Sequence, residues 1–248
     1  MTMVREAVFE FLILFRMQLA NWRWSWRGML IGGIVVPLSL MFFAHFTIND
    51  NDSRALLYII TGNVIIGLFF TTLSRTAGRF AFFCETKALD YYRTLIDSMS
   101  RLILATMGSF LLFALPGVMI TLFVGELLFQ IAIRPHPFIF FVFLVSAFAF
   151  ASTGALIGIH ARNYESAGLM ANLVNFILVF LSPVMIPIER FPPLLRAFAW
   201  MLPSTHAALA FRQTLSGDIT GHFWLSMSYL LLFSALVLYF VNLHLREQ

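Results

Sequence analysis

Six stretches of this chain run for about the thickness of a membrane without a charged side chain. They are Met29 to Phe46, Ala55 to Leu73, Leu102 to Gly125, Phe138 to Ile159, Ala167 to Ile188 and Phe223 to Leu243. A helix of roughly 20 apolar residues covers a hydrocarbon layer of about 30 Å. Lipid offers backbone N–H and C=O groups no partners, so each run is expected to be a helix, even where Val, Ile and Phe would favour strand in water. Water cannot be the solvent of such a chain. Hydrophobic residues make up 60% of its 248 positions, charged ones 11%, and 29 positions are Phe, more apolar surface than a soluble domain of this size can bury. The expected fold class is an all-α polytopic membrane protein with six transmembrane helices, in one domain over residues 1–248.

The net charge of +4 could serve nucleic acid, but no basic cluster with interleaved aromatics accompanies it, so no nucleic-acid partner is expected. The charge is better explained as membrane orientation. With a cytoplasmic N-terminus, Arg5, Arg16, Arg23, Arg27, Arg75, Arg79, Lys87, Arg93, Arg101, Arg162 and Arg246 lie inside, eleven of sixteen Lys and Arg. Arg54, Arg134, Arg190, Arg196 and Arg212 then lie outside, and both termini are cytoplasmic. Arg5, Glu6, Glu10, Arg16 and Arg23 interrupt the apolar pattern of residues 1–27, which is unlike a signal peptide, so the mature chain is expected to begin at or near Met1. Within it Val4, Val8, Phe11, Phe15, Leu19 and Trp22 recur at steps of three and four, with Arg5, Arg16 and Arg23 along one edge. That pattern predicts an N-terminal interfacial helix over 1–27, ending in a belt of Trp22, Trp24 and Trp26.

Two stretches are too polar to span and too patterned to be plain loops. Residues 84–100 place Glu85, Leu89, Tyr92 and Leu95 at helical spacing, predicting a short amphipathic helix on the cytoplasmic surface. Residues 190–215 hold Pro192 and Pro203, each suited to a helix start, and predict two half-length helices broken at Leu202-Pro203 on the outer side. Each is too short to span, so the pair is expected to enter the outer leaflet and return, with Gly217 and Gly221 supplying the turn into the last span.

No phosphate loop, nucleophile elbow or His-Glu-x-x-His pair is present, so no catalytic residue is expected and any ATP chemistry belongs to another chain. Cys84 is the only cysteine, which excludes an internal disulfide. His45, Glu126, His136 and His206 are scattered without ligand spacing, so no metal site is expected. The spans lack the midplane charges of an ion-coupled carrier. Pro37, Pro116 and Pro183 each interrupt a span and are expected to kink it, whereas Gly154-Ala155-x-x-Gly158 and Gly62-x-x-x-x-Gly67 predict close helix packing.

The element order, with Glu85-x-x-x-Leu89-Asp90-Tyr91-Tyr92-x-x-Leu95 before Ser100-Arg101, resembles the permease subunits of type-2 ABC exporters. The more specific likeness is Ser182-Pro183-x-x-x-Pro187, then Phe191-Pro192, Leu195, Leu202-Pro203-Ser204-Thr205-His206 and Phe211-Arg212. The chain departs from the family pattern at Lys87-Ala88, where the family often has Gly-Thr, and at Ser98-Met99, where a proline often precedes Ser-Arg.

The resemblance implies a non-catalytic half-transporter in the inner or plasma membrane. It would pair with a second, identical or homologous permease and with two copies of an ABC ATPase that bind ATP and Mg. It also implies that Glu85, Lys87, Leu89, Asp90, Tyr91, Tyr92, Arg93 and Leu95 form a coupling helix, with the N-terminal interfacial helix (Arg5, Phe11, Phe15, Arg16, Trp22, Arg23) as a second receiver of force. Pro183, Pro187, Phe191, Pro192, Pro203, Thr205, His206 and Arg212 would then belong to an outer re-entrant exit gate. Phe-rich spans suit an amphipathic, lipid-like or drug-like cargo. The alternatives are a lipo-oligosaccharide or polysaccharide exporter of the same family, an ATP-independent secondary transporter or channel, and a membrane-embedded enzyme.

Overall fold

A computed structural model describes residues 2–22, 26–47, 53–96, 98–130 and 136–247. All regular structure among them is helical: α1 (Thr2–Asn21), α2 (Trp26–Thr47), α3 (Ser53–Leu68), α4 (Ser74–Glu85), α5 (Ala88–Leu95), α6 (Met99–Phe129), α7 (Ile139–His160), α8 (Tyr164–Phe180), α9 (Pro193–Ala199), α10 (Pro203–Ser216) and α11 (Gly221–Glu247). A π turn, Phe69–Leu73, joins α3 to α4, so Ala55–Glu85 is one apolar rod. Arg23, Trp24 and Arg134 lie outside the described residues.

The rod is the axis of the molecule. Val64, Ile65, Leu68, Phe69, Leu73, Ala77 and Phe80 are buried along it, between α7 on one side and α2, α6, α8 and α10 around the rest. Close approach is possible because α7 presents small residues. A Cβ on Gly154 would stand 2.2 Å from the Leu73 carbonyl oxygen and one on Gly158 2.4 Å from that of Ala77, so backbone meets backbone there. The Gly154/Gly158 motif thus seals α7 to the rod within the chain. Gly33 of α2 makes similar room for Thr71, whose hydroxyl, like that of Thr72, bonds a carbonyl one turn back (Thr71 to Gly67, Thr72 to Leu68) and so gives the π turn local partners.

Outward faces are apolar too. Phe42, Phe43 and Phe46 on α2, Met119, Phe123 and Leu127 on α6, Leu173, Phe176 and Phe180 on α8, and Leu232, Leu236 and Phe240 on α11 are all exposed. So extensive an apolar surface needs lipid or another apolar partner against it. α11 closes the bundle on α7 through Phe223, Met227, Leu230 and Val241.

Among the described residues, five helices are long and apolar enough to cross a membrane: Trp26–Phe46, Ala55–Glu85, Met99–Phe129, Ile139–His160 and Gly221–Leu245. The sixth stretch, expected over Ala167 to Ile188, differs. α8 begins earlier, where Asn163 and Ser166 form a reciprocal cap, and it stops at Phe180, giving 17 residues or about 26 Å of helix. Pro183 offers no N–H and disfavours helical geometry at Ser182, so the chain turns over 181–187 instead of continuing. Pro37 and Pro116 lie inside continuous helices, so of the three prolines only Pro183 lies in a break in helix.

Candidate functional site

Both polar stretches are mounted on the central rod, one at each end. At the α4 end, Lys87 takes the left-handed conformation with φ 54°, which stops α4 at Glu85 and starts α5 in a new direction. The helix expected over 84–100 is therefore shorter, Ala88–Leu95. Glu85 belongs to α4, Ile96 is extended, and α6 begins at Met99.

Leu89 and Tyr92 are the buried side of α5, with the Tyr92 ring edge-on to Phe83 at 5.5 Å, and burial pushes the Tyr92 hydroxyl above its ordinary pKa. Lys87, Asp90, Tyr91 and Leu95 form the open side, Tyr91 being 65% exposed and Leu95 60%. The remaining charges are committed within the chain. Glu85 accepts the Tyr164 backbone N–H at 2.9 Å, a carboxylate on the positive N-terminus of α8. Arg93 donates to the Leu245 carbonyl of α11 and lies 3.4 Å from Asp90.

α1 lies along α6 beside this end. Leu14 and Gln18 are buried, Phe11 stacks on Phe15 at 6.0 Å, and Trp22 packs on Phe110 at 5.1 Å, while Arg5 and Arg16 are exposed. Four residues that the sequence reading did not assign to the site complete the contact. Glu10 pairs with Arg101, and Arg79 donates to Gln18 at 3.1 Å with its guanidinium 4.5 Å from the centre of the Phe83 ring. A polar residue inside an apolar helical pattern, such as Gln18, was the available signal.

At the other end, α9 and α10 are broken at Leu202-Pro203 as the sequence predicts, with Pro203 opening α10; α9 opens on Pro193, Pro192 being its cap. The two halves differ sharply. Leu194 and Phe198 of α9 are exposed, whereas α10 is buried along nearly its whole length, Arg212 included. Arg212 donates to the carbonyls of Pro183 and Val184 (2.7 Å to Val184), donates through Nε to the Thr61 hydroxyl at 3.2 Å, and lies 3.6 Å from the centre of the Tyr58 ring. It thereby ties the turn after α8 to the first turns of α3, and the bare Gly62 lets that turn in, since a Cβ there would stand 2.9 Å from the Val184 carbonyl oxygen.

His206 stacks on Tyr229 at 3.9 Å, and its Nε2, 3.0 Å from the Trp200 carbonyl oxygen, must carry the proton because a carbonyl only accepts. Burial holds its pKa below the ordinary imidazole value, partly offset by that bond. The Thr205 hydroxyl donates to the Ala199 carbonyl, and Gly217 ends α10 at φ 80°. Pro187 caps the 3-10 turn Ile188–Arg190, Phe191 is half-buried and Pro192 exposed. Pro183, Pro203, Thr205, His206 and Arg212 are thus all buried, Arg212 against Pro183 and the start of α10 against α9 and α11, whereas Pro187 and Phe191 are half-buried and Pro192 is exposed.

Between α6 and α7 lies a groove of about 340 Å³ lined by Leu115, Met119, Leu122, Phe123, Phe140 and Phe143, with the exposed carboxylate of Glu126 at its edge. No group of three His, Cys, Asp or Glu residues suited to a metal occurs among the described residues.

A family model described as "ABC-2 family transporter protein" matches residues 29–241, which span everything from the start of α2 to the last turns of α11. No curated protein matches the chain.

Proposed function

The chain belongs to the ABC-2 family of transporter membrane proteins, and from that premise we propose that it is the membrane-spanning, non-catalytic permease subunit of an ATP-driven exporter. ATP and Mg are bound by two separate ATPase subunits, and a second permease, identical or homologous, completes the pathway. The observation that carries the reading is the open side of α5. Lys87, Asp90, Tyr91 and Leu95 form a charged and aromatic face, bent off the end of the central rod and anchored by Leu89, Tyr92 and the Arg93 clasp. A push on that face enters the rod directly, and the same rod holds Tyr58 and Thr61 against Arg212 at its far end. Tight backbone packing against α7 makes the rod stiff enough to transmit such a displacement.

In this reading α5 faces the cytoplasm with both termini, α8 with the turn after it is the fifth of six crossings, and α9 and α10 form the outer re-entrant pair. The protein is a multi-pass component of the cell membrane. The apolar α6–α7 groove with one carboxylate at its edge supports an amphipathic cargo over a wholly polar one.

The test is expression in the native host, followed by purification of the complex and reconstitution in vesicles. An ATPase is expected to co-purify, and transport to require ATP hydrolysis. Transport that persists with no ATPase in the complex and no ATP would sink the proposal in favour of a secondary transporter or channel.

A further inference from the structure

Where α1 meets α4, a cavity of about 170 Å³ is lined by Trp22, Arg75, Gly78, Arg79, Phe82 and Tyr164. Two of its six lining residues are arginines, four apart on one helix and so on one face, and no acidic side chain lines it. Arg75, half-buried, makes no hydrogen bond or ion pair with any described residue. Arg79 uses Nη2 on Gln18, but its buried Nε has no partner, and the buried indole N–H of Trp22 has none either. Glu85, the nearest acid along α4, is occupied by the Tyr164 N–H, and Glu165, next to Tyr164 in the chain, is exposed and does not line the cavity. Every orphaned group here is a donor, and the charge is uniformly positive. Buried donors normally find an acceptor, and two guanidinium groups beside an indole N–H, with no acid lining the cavity, are the chemistry that recognises an oxyanion. The aromatic faces of Trp22 and Phe82, 5.5 and 5.6 Å from the Arg79 guanidinium, hold that cation in place without neutralising it.

Depth identifies the carrier of that oxyanion. The 20 helical steps from Ala55 to Arg75 in the continuous apolar rod rise about 30 Å, the thickness of the hydrocarbon layer, which puts Arg75 at headgroup level with Arg79 one turn beyond. Gly78 keeps the cavity open, since a Cβ there would stand 2.8 Å from the Tyr164 ring. We propose that this cavity binds the phosphate group of an anionic phospholipid, clamped by Arg75 and Arg79 with the Trp22 N–H as third donor. The bound headgroup would fasten α1 to the rod at the same end that carries α5.

The test uses the full chain in phosphatidylcholine nanodiscs with and without phosphatidylglycerol, counting retained lipid by native mass spectrometry. Selective retention of phosphatidylglycerol is expected, weakened about tenfold by Arg75→Gln and by Arg79→Gln, the size of one lost charge-assisted bond. Arg27→Gln, which removes an exposed arginine that stacks on Trp26 and does not line the cavity, should leave retention unchanged. If Arg79→Gln does not fold, Arg75→Gln still decides, because Arg75 bonds no described residue. Millimolar inorganic phosphate separates the sources. Retention that survives it supports the lipid, while displacement by phosphate with equal thermal protection keeps the oxyanion site but overturns the lipid as its ligand. No preference for phosphatidylglycerol, or an equal loss in Arg27→Gln, overturns the site.

Discussion

Arg212 and Arg93 make the same kind of bond at opposite ends of the molecule, each donating its guanidinium to main-chain carbonyls of a distant segment. Their surroundings differ. Arg212 is 9% exposed, enclosed by Thr61, Tyr58 and the 183–184 carbonyls, whereas the Arg93 side chain is 29% exposed with water as an alternative partner. The same hydrogen bond is therefore structural at one end and adjustable at the other. Removing a buried donor strands its acceptors without solvent, while removing a wet one lets water replace it. The contact at the Arg212 end of the rod is sealed from water, whereas the contact that α5 makes with α11 is open to it.

The largest effect should follow Arg212→Leu, which orphans the carbonyls of Pro183 and Val184 and takes from Thr61 the donor its hydroxyl accepts. A loss of about 3 kcal/mol, or roughly 10 °C in the unfolding midpoint of the detergent-solubilised chain, is expected. A drop no larger than that of Arg93→Leu would dissolve the contrast between the ends. Arg212→Lys should recover part of the loss, because a lysine keeps the charge but cannot reach Thr61 and both carbonyls with one planar fork. Gly62→Ala pushes a methyl against the Val184 carbonyl and should cost about 1 kcal/mol, read in the same melt.

Arg93→Leu should cost less than about 1 kcal/mol. Paired reversal of Lys87 and Asp90 should leave the midpoint within about 0.5 kcal/mol of the parent while weakening ATPase association, measured by pull-down; unchanged association and unchanged ATP turnover would remove the coupling role from α5. The smallest effect is one of pH. His206 has a lowered pKa in the folded state, so its neutral form contributes stability above the ordinary value of 6.5, and that contribution fades as pH falls below it. His206→Gln should flatten this part of the stability–pH curve, and an unchanged curve would show that His206 is not its source.

Residue patterns carried much of the architecture. Five of the six charge-free runs became long apolar helices because length and hydropathy are local properties, and the Leu202-Pro203 break appeared because proline acts on its own neighbours. The fifth run escaped because apolarity continues past Pro183 while the backbone does not. At the candidate site, the open side of α5 was readable from periodicity, but the separation of Glu85 from that helix was not. It depends on Lys87 taking φ 54°, a conformation without a strong mark in a Lys-Ala step.

The sequence by itself determined that the chain is helical and lives in lipid, since a backbone in hydrocarbon has no other way to satisfy its polar groups. It also determined where charge could not go. Only the tertiary structure decided which charges are spent and which are open. Arg212 on two carbonyls, Glu85 on the start of α8 and Arg101 on Glu10 are pairings between segments far apart in the chain. Arg75 and the Nε of Arg79 stand unmatched because α1 and α4 meet there without an acid. Composition counts charges, but their partners are set by packing, which brings together residues that no local pattern connects.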